Sequence, residues 1–576
     1  MKKLTIENAK ELQPYIDMAN YNEYNSNIVT MLMWNNAYHI MFKTFPNYAL
    51  VLWKNGKELM WMMPLCKKED RKQAVDMMMK YSEEFGVPFC MTSLIEEFKE
   101  WCVQTYGDTY IYRDLIAAQD YVYDVVQQRD LVGKKMQKRR NHYNAFLKEY
   151  EGRFTFKPLG EEDFDAVYEL LEKWKQGHEN ADSIERESVG IRFLFDHFKE
   201  LSLIGGCIYI DGKLEAFNIA SHLSQTTLQM HVEKANKNIR GLYVAVLKHF
   251  LQHIPEQYTL INREDDMGLA YLRKAKTDMK PCLKIRKYCM QLRDIQIRKA
   301  NQNDKEALAS LWMQSFPDET ASSTAFYFEH MWKSEDTYVL MNGNDLVTML
   351  QRRKMNVSLH DKEYPVSFIV GVATEETYQG QGFMRQLLLH ALEDCKEEAF
   401  VLLQAYNWDL YKPYGFVESH YRQRTTIDTQ AYIAQDDYRL TNSHKADELL
   451  LLYESYTAHK TGYRIRDIAY YQDYYIPYTY QEGGEIKVLY KGEEALGYAV
   501  VYESEEQIFV TEFIVWKEEN IKAMIGALKQ QDKKVIIDHA CDLTLDGESV
   551  TMPCMMIKIH NKDIEIPSSM FINEVL

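Results

Sequence analysis

The chain alternates along its whole length between short apolar runs and longer segments with apolar residues every three or four positions. Runs such as Phe368–Thr374 are typical of buried strands, whereas Phe383, Leu387, Leu388 and Ala391 show the spacing of an amphipathic helix. This alternation recurs in both halves of the sequence. It predicts an α/β fold of mixed α+β character, built of tandem units that each contain a mixed twisted sheet flanked by helices.

Changes in the pattern place the predicted domain boundaries. A strand at Cys289–Arg293 ends the first half, and Ile295–Arg298 opens a new strand–helix unit with Asn303 or Asp304 as the helix cap. A second change follows Arg424–Ile427. The predicted domains are 1–292 (two halves, about 1–115 and 116–292), 293–428, and 429–576, a degenerate copy of the middle unit with a C-terminal tail.

Two glycines, Gly380 and Gly382, lie between the strand Phe368–Thr374 and the helix that follows it. Glycines at this place let backbone N–H groups approach an anion, and the helix dipole adds partial positive charge. The ligand that fits is a pyrophosphate. The spacing of a P-loop is absent, and the dinucleotide-binding pattern would need a glycine where Arg385 stands.

A second segment follows another predicted strand, Phe400–Ala405. It spans Asn407–Phe416, reads NWDLYKPYGF, and places Tyr411 shortly before a Gly-Phe pair. Together the two segments resemble the GNAT acetyltransferase superfamily, whose fingerprint is Gln or Arg, two residues, Gly, one residue, then Gly or Ala. Here Gln379–Met384 reads QGQGFM, with methionine in place of the last small residue. A bulky residue followed by arginine, as in Met384-Arg385, is similar to the Eis-type (enhanced intracellular survival) branch, and the resemblance covers about 294–576.

The GNAT resemblance implies acetyl-CoA as cosubstrate and no metal. Backbone amides of the glycine turn would hold the pyrophosphate, the preceding strand would grip the pantetheine arm and the acetyl carbonyl, and residues after the next strand would border the cofactor. The residues implied for the pyrophosphate are Gly380, Gln381, Gly382, Phe383, Met384 and Arg385. Those implied for the pantetheine arm and the acetyl carbonyl are Val372, Ala373 and Thr374, and those implied to border the cofactor are Tyr406 and Asn407.

Acetyl transfer to an amine also needs an acid and a base. Tyr411 is the expected acid, since a phenol of pKa about 10 stays protonated at pH 7 and can donate to the leaving thiolate; the alternative is an aromatic side chain that only packs. Eis-type proteins use their own terminal carboxylate as the base, which here implies the α-carboxylate of Leu576. The segments Met552–Asn561 and Met570–Leu576 resemble remnants of the domain that delivers it. Glu375, Glu376, Glu418 or a chain of water molecules are the alternatives.

Three separated segments of the first half resemble the C-terminal domain of phosphatidylglycerol lysyltransferases, over about residues 1–290. They are Lys134–Phe146, Met230–Ile254 and Thr259–Pro281. Members of that family have tandem GNAT-like folds, and the membrane-bound ones transfer aminoacyl groups from tRNA to lipid. The polar residues of interest are Arg240, Gly241, Asn262, Arg263, Glu264 and Lys274. Basic residues cluster at Lys134, Lys135, Lys138, Arg139, Arg140 and Lys148, either as a solvated helix face or as a phosphate site.

Composition narrows the setting. The formal net charge of −17 argues against a broad nucleic-acid-binding surface and suits cationic substrates. The nine cysteines lack a CxxC pair, and the start of the chain lacks the apolar core of a signal peptide. No stretch approaches the roughly 20 apolar residues of a membrane span. A cytoplasmic protein without membrane insertion is therefore expected, and a homo-oligomer is left open.

The function predicted from the sequence is acetyl-CoA-dependent N-acetyl transfer to an amine, either a small cationic molecule or a lysine side chain. Two alternatives remain. One is aminoacyl-tRNA-dependent transfer by the first half, with tRNA as a less favoured partner. The other is a non-catalytic acyl-CoA-binding sensor or scaffold.

Overall fold

The computed structural model describes residues 1–55, 58–175, 181–530, 533–561 and 563–567. The chain divides into two compact units, Met1–Arg293 (unit 1) and Asp294–Leu576 (unit 2). Alternating apolar and polar positions form the strands of each unit, and segments with apolar residues at helical spacing cover the sheets. The predicted fold class of mixed sheets flanked by helices is confirmed.

Unit 1 contains two sheets. The described strands are β1 (Lys2–Lys3), β2 (Met41–Thr44), β3 (Tyr48–Asn55), β4 (Glu58–Trp61), β5 (Leu65–Cys66), β6 (Cys90–Ile95), β7 (Tyr110–Asp114), β8 (Asp120–Asp124), β9 (Phe154–Pro158), β10 (Ile204–Ile210), β11 (Lys213–Ser224), β12 (Thr227–Ala235), β13 (Leu260–Asn262), β14 (Leu283–Ile285) and β15 (Lys287–Leu292). The helices are α1 (Ile6–Ala9), α2 (Gln13–Ala19), α3 (Ile28–Met33), α4 (Asn35–Tyr38), α5 (Arg71–Phe85), α6 (Glu96–Tyr106), α7 (Val125–Asp130), α8 (Gln137–Tyr150), α9 (Phe164–Lys175), α10 (Ala181–Asp196), α11 (Leu242–Leu251) and α12 (Ala270–Asp278). The spatial orders are β1-β2-β3-β4-β6-β15-β7, with β5 beside β3, and β14-β8-β13-β12-β11-β10-β9.

Unit 2 is organised around one continuous sheet. Its described strands are β16 (Ile295–Lys299), β17 (Thr337–Asn342), β18 (Asp345–Leu359), β19 (Lys362–Thr374), β20 (Phe400–Leu403), β21 (Val417–Ile427), β22 (Tyr438–Asn442), β23 (Tyr463–Arg464), β24 (Glu485–Lys491), β25 (Glu494–Glu503), β26 (Gln507–Val515), β27 (Lys534–Ala540) and β28 (Gly547–Ile559). The helices are α13 (Lys305–Ser315), α14 (Ala321–His330), α15 (Phe383–Glu393), α16 (Ala446–Thr457), α17 (Ile476–Gln481) and α18 (Glu518–Leu528). The spatial order is β16-β17-β18-β19-β20-β28-β21-β27-β26-β25-β24-β22, with β23 beside β18.

The last strand of each unit lies between two strands that come from the first half of that unit. In unit 1, β15 runs between β6 and β7, and in unit 2, β28 runs between β20 and β21. Met552–Asn561, one of the two segments that resemble remnants of a separate domain, is therefore largely part of β28, and the other, Met570–Leu576, lies outside the described residues. The predicted division of unit 2 at residue 428 stays a prediction, because strands from both sides of it share one sheet.

The apolar face of α15 fixes this helix on the sheet of unit 2. Phe383, Leu387, Leu388 and Ala391 are all buried, as their helical spacing predicted. Across the described residues, every helix is too short or too polar to cross a membrane.

A buried histidine of β21 is expected to make the stability of unit 2 depend on pH. Burial, followed by the charge of Arg422, lowers the pKa of His420 from 6.5 to about 4. Below pH 6.5 the imidazole of His420 is protonated in the unfolded chain, whereas in the folded chain it is protonated only near pH 4. The free energy of unfolding therefore decreases as the pH falls through this window. The expected loss is about 3 kcal/mol. Chemical denaturation of the wild type and of His420→Gln at pH 7.5 and 4.5 tests this, and an equal pH slope in both proteins would contradict it.

Candidate active site

The glycine turn of unit 2 leads directly into α15. Gly382 is the N-cap of the helix with φ +80°, and Gly380 has φ +76°, so both occupy the left-handed region that favours glycine. A Cβ atom added to either glycine would meet no heavy atom within 4 Å. The side of the turn toward which a side chain would project is therefore open.

The first turn of α15 presents backbone donors. The N–H of Gln386 donates to the carbonyl oxygen of Gly382 at 3.2 Å, so the N–H groups of Phe383, Met384 and Arg385 precede the first intrahelical acceptor. The side chain of Phe383 is buried, Met384 is half-buried and Arg385 is exposed. The turn can thus offer backbone N–H groups and one exposed guanidinium to an anion.

Buried aromatic packing holds the turn in place. Tyr378, just before it, is 2% exposed and donates its hydroxyl to Asp345 Oδ2 at 2.7 Å. Its ring meets Phe383 edge to face, with ring centroids 6.1 Å apart. Anchors on both sides of the glycines preorganise the N–H groups, which reduces the entropy that a bound ligand would otherwise have to remove.

Strands β19 and β20 separate beside this turn. Their parallel pairing ends at Ile369 and Leu403, where β20 ends, whereas β19 continues to Thr374. On its other edge β19 stays paired with β18 as far as Thr374. Within the described residues, the backbone of 370–374 therefore borders a gap between the two strands.

The residues predicted to grip the cofactor arm lie along this gap. The N–H of Glu375 donates across to β18, so the preceding carbonyl, that of Thr374, points into the gap. There it accepts a hydrogen bond from Gln379 Nε2 at 3.0 Å. Ala373 is buried and Val372 is half-buried. The three residues are placed as a backbone grip requires, and their role stays a prediction.

A β-bulge shapes the same part of β19. The register with β18 shifts between Met349 and Gln351, opposite Gly371, whose φ is +60°. A Cβ atom on Gly371 would lie 2.2 Å from the ring of Trp312 in α13. Only glycine fits here, because both the backbone conformation and the indole exclude a side chain.

Tyr411 lies between two short 3₁₀ turns after β20. It is 8% exposed, and its ring meets Phe416 edge to face at 6.3 Å. Burial, followed by the neighbouring Tyr414, raises the pKa of Tyr411 to about 12. The phenol is therefore held protonated at neutral pH, which is the form that a general acid needs.

The two predicted border residues are more exposed than Tyr411. Tyr406 is 78% exposed, stacks on Phe316 with ring centroids 6.4 Å apart, and donates its hydroxyl to Asp318 at 3.3 Å. Asn407 caps the next turn by accepting the N–H of Asp409 at 3.1 Å. Both belong to the loop that follows β20, and whether they touch a cofactor stays a prediction.

The base remains unassigned among the predicted residues. Leu576 lies outside the described residues. Glu375 already accepts the N–H of Thr377 at 2.9 Å, and Glu418 is exposed and accepts the hydroxyl of Tyr421 at 3.3 Å. Glu376 is exposed. Across the described residues, His, Cys, Asp and Glu side chains do not come together in a group suited to a metal ion.

Two other helices begin in the same topological place as α15. Gly241 caps α11 with φ +85°, and Lys517 precedes α18 with φ +67°. A Cβ atom on Gly241 would lie 2.1 Å from the carbonyl oxygen of His142 in α8. Helix α8 thus fills the space beside this turn, and α18 lacks the glycine. Of the three turns, the one at Gly382 has both a glycine in the left-handed conformation and open space beside that glycine.

Unit 1 contains a cavity of about 410 Å³ with aromatic and acidic walls. Trp34, Tyr38 and Trp53 form the aromatic part, and the two acidic groups of Glu264 and Asp265 outnumber the one basic side chain in the lining, Arg186. Aromatic faces and carboxylates together suit an organic ammonium ion. Tryptophans such as Trp34 and Trp53 are typical of core residues in a sequence, and Asp265 was missed; the run of acidic residues around it, Glu264–Asp266, was the signal available.

A buried polar network fixes the acidic wall. Glu264 has φ +59°, its N–H donates to Asn262 Oδ1 at 2.8 Å, and its carboxylate accepts from Gln229 Nε2 at 2.8 Å. Tyr24 donates to Asp265 at 2.6 Å, and burial raises the pKa of that carboxyl. A carboxyl with a raised pKa, here that of Asp265, and strained backbone beside a cavity are typical of functional sites.

Lys287 lies next to Tyr24, one of the residues that line the cavity. It is fully buried, with Nζ 2.5 Å from Asp120 and 3.2 Å from Glu23, and it lies 3.7 Å from the ring centre of Tyr24. A buried charge of this kind is tolerated only with such partners. This ion cluster thereby joins β8, which contains Asp120, to β15, which contains Lys287.

The basic stretch of α8 is partly structural. Lys138 pairs with Asp278 at 2.7 Å, and Arg140 donates to the carbonyl of Leu131 at 2.6 Å. Burial, followed by the charge of Arg263, lowers the pKa of Arg139 to about 10. Lys134, Lys135 and Lys148 are exposed. For these three exposed lysines, both alternatives stated from the sequence, a solvated helix face and a phosphate site, stay open.

Unit 2 thus combines an open glycine turn at a helix start, a separated strand pair and a buried phenol. Residues 296–418 match the family model described as acetyltransferase (GNAT) domain. Residues 18–291 match the model described as phosphatidylglycerol lysyltransferase, C-terminal. Both resemblances stated from the sequence are confirmed, and together they support acyl transfer as the class of reaction.

Individual relatives are more distant. An uncharacterized protein of Mycoplasmoides gallisepticum is 25% identical over 193 residues, which are 34% of this chain and 61% of the relative. The chain thus spans less than two thirds of that relative's length. A conserved protein of unknown function from Bacteroides thetaiotaomicron is 26% identical, with a TM-score of 0.47 over 51% of this chain and 99% of that one. Eis1 from Mycobacterium abscessus is 13% identical, with a TM-score of 0.38 over 46% and 73%.

Proposed function

We propose that unit 2 transfers an acetyl group from acetyl-CoA to an amine, either of a small cationic molecule or of a lysine side chain. The observation that carries this proposal is the open turn at Gly380–Gly382, which joins α15 beside the gap between β19 and β20. The turn would hold the pyrophosphate of the cofactor through backbone N–H groups. The gap would admit the pantetheine arm along residues 372–374.

The reaction is one of addition and elimination at the acetyl carbonyl. The amine nitrogen bonds to the carbonyl carbon, the carbon–sulfur bond breaks, and the sulfur takes a proton from the Tyr411 hydroxyl. The nitrogen of the product loses its extra proton to a base, and a proton from the solvent restores the Tyr411 phenol. A backbone N–H group of β19 beside the carbonyl would stabilise the negative charge that develops on its oxygen.

Titration calorimetry with acetyl-CoA and a screen of amines read by free thiol test this function. Binding together with amine-dependent thiol release supports it. Tight binding with no turnover on any amine would favour the sensor instead, and failure to bind acetyl-CoA would exclude both for this site.

The proposed base is tested at the chain terminus. If the α-carboxylate of Leu576 accepts the proton, a few residues added after it would displace the charge, and turnover should collapse while acetyl-CoA binding persists. Leu576→Ala, which keeps the terminal carboxylate, is the matched control and should be milder. Full turnover in the extended protein would move the search to Glu375, Glu376 and Glu418.

The unit 1 cavity favours a second candidate, aminoacyl transfer from tRNA, because its carboxylates and aromatic walls suit the amino group of an aminoacyl ester. We nevertheless expect no tRNA binding, since the net charge of −17 repels a polyanion. Filter binding at rising salt concentration checks this. A salt-sensitive complex that Lys134→Glu with Lys135→Glu abolishes, while Lys43→Glu does not, would contradict the expectation and support the second candidate.

A further inference from the structure

Two cysteines of unit 1 face each other across neighbouring strands. Cys90 begins β6 and Cys289 lies in β15, and their Sγ atoms are 3.3 Å apart. The strands are antiparallel, with Cys90 opposite Gln291, so Cys289 is its diagonal neighbour on the same face. The two thiols are in direct contact although 199 positions separate them in the chain.

A β-bulge lies at this contact. The pairing shifts between Tyr288 and Met290, which lie opposite Leu94 and Met91, so Cys289 faces two residues of β6 rather than one. One of them, Ser93, has φ +60°. A disulfide needs the sulfur atoms about 2.05 Å apart, an approach of about 1.3 Å from the observed distance. The irregular ladder can absorb a movement of this size more readily than a regular one.

The two thiols differ in access. Cys90 is half-buried, whereas Cys289 is 1% exposed. A small oxidant therefore reaches Cys90 first, and Cys289 is held beside it as the second thiol. This is the arrangement of a reactive and a resolving cysteine.

We propose that Cys90 and Cys289 form a redox modification site, which hydrogen peroxide converts to an intramolecular disulfide. Cys90 Sγ attacks one peroxide oxygen, the O–O bond breaks, and one water leaves while a sulfenic acid forms. Cys289 Sγ then attacks the Cys90 sulfur, the S–S bond forms and the S–O bond breaks, and the second water leaves. Two thiols lose two electrons and two protons, and the peroxide is reduced to two waters.

The site is connected to the wall of the cavity by two routes. Ser93 Oγ, in the bulge, accepts a hydrogen bond at 2.9 Å from Asn25 Nδ2, and Asn25 lines the cavity. Lys287, two residues before Cys289, is the buried cation that ties Asp120 and Glu23 together. A disulfide between Cys90 and Cys289 would restrict the movement of Ser93 and Lys287, which contact Asn25 and Glu23. The disulfide is therefore expected to rigidify the segment of residues 20–34.

Mass spectrometry of the full-length protein tests the modification. Limited hydrogen peroxide should remove two hydrogens and give one linked pair of peptides containing Cys90 and Cys289, and dithiothreitol should restore both thiols. Cys90→Ser and Cys289→Ala should each abolish the linked pair. Cys102→Ser, which alters a buried thiol of the same unit, should leave it unchanged. Oxidation of Cys90 to sulfinic acid without a linked pair would overturn the proposal.

Hydrogen exchange tests the connection between the disulfide and the cavity wall. Backbone amides of residues 20–34 should exchange several-fold more slowly in the oxidised than in the reduced wild-type protein, and this difference should vanish in Cys289→Ala treated with peroxide. Equal exchange in the two redox states, with the disulfide shown to be present, would refute the link to the cavity.

Discussion

Gly382→Val is expected to weaken acetyl-CoA binding roughly ten- to a hundredfold, because one hydrogen bond from a backbone N–H group to the pyrophosphate, worth about 1.5–3 kcal/mol, would be lost. Gly382 has φ +80° and open space beside it. A valine there would strain the backbone and place its methyl groups beside the turn, where the phosphates are expected. Titration calorimetry measures the effect directly.

Backbone strain alone could also reduce binding, and a second glycine separates the two causes. Gly492 turns the β24–β25 hairpin in the same unit, with φ +59° and no atom within 4 Å of an added Cβ. Gly492→Val should therefore carry similar strain and leave acetyl-CoA affinity unchanged. Unchanged affinity in Gly382→Val, or an equal loss in both variants, would remove the turn from the cofactor site.

The sequence was sufficient for the parts of the site that depend on local order. The turn at Gly380–Gly382 and the helix after it follow from residues close together in the chain, because glycine content and apolar spacing are local signals. Tyr411 was singled out as part of a short segment next to a predicted strand, through the resemblance to GNAT proteins, and its catalytic role stays a prediction. Its burial, which raises the pKa of the phenol, required the structure.

Features built from distant residues were not predictable in this way. The insertion of β15 between β6 and β7 pairs residues almost two hundred positions apart, and nothing in the local pattern of either strand specifies its neighbour. The cavity of unit 1 combines Trp34 and Trp53 with Glu264, and each tryptophan alone reads as core. A local pattern predicts an element, whereas a site made by folding depends on which elements meet.

For the same reason, sequence alone cannot distinguish the turn at Gly241 from the turn at Gly382. Its strand, glycine and helix repeat the order seen at Gly382, so both turns would be interpreted alike. The difference lies in α8, whose His142 carbonyl occupies the space beside Gly241. Only the packing of a separate helix distinguishes an open turn from a filled one.

Tyr411→Phe is expected to lower turnover roughly ten- to a thousandfold while leaving acetyl-CoA affinity nearly unchanged, because it removes a proton donor without changing the shape of the side chain. The ring would keep its contact with Phe416, so the fold should survive. Tyr414→Phe, a half-buried neighbour in the same loop, is the matched control and should have little effect. Steady-state kinetics with a responsive amine and calorimetry with acetyl-CoA provide the two measurements.

The pH profile makes this test specific to acid catalysis. The pKa of Tyr411 is raised to about 12, so the wild-type phenol stays protonated, and its activity should not fall on the alkaline side until the pH approaches that value. A decline in wild-type turnover centred near pH 8 would therefore belong to another group. If Tyr411→Phe retains full turnover, the hydroxyl only packs. If acetyl-CoA affinity collapses instead, Tyr411 acts in binding, and the proton that the thiolate needs must come from a water molecule or from the substrate itself.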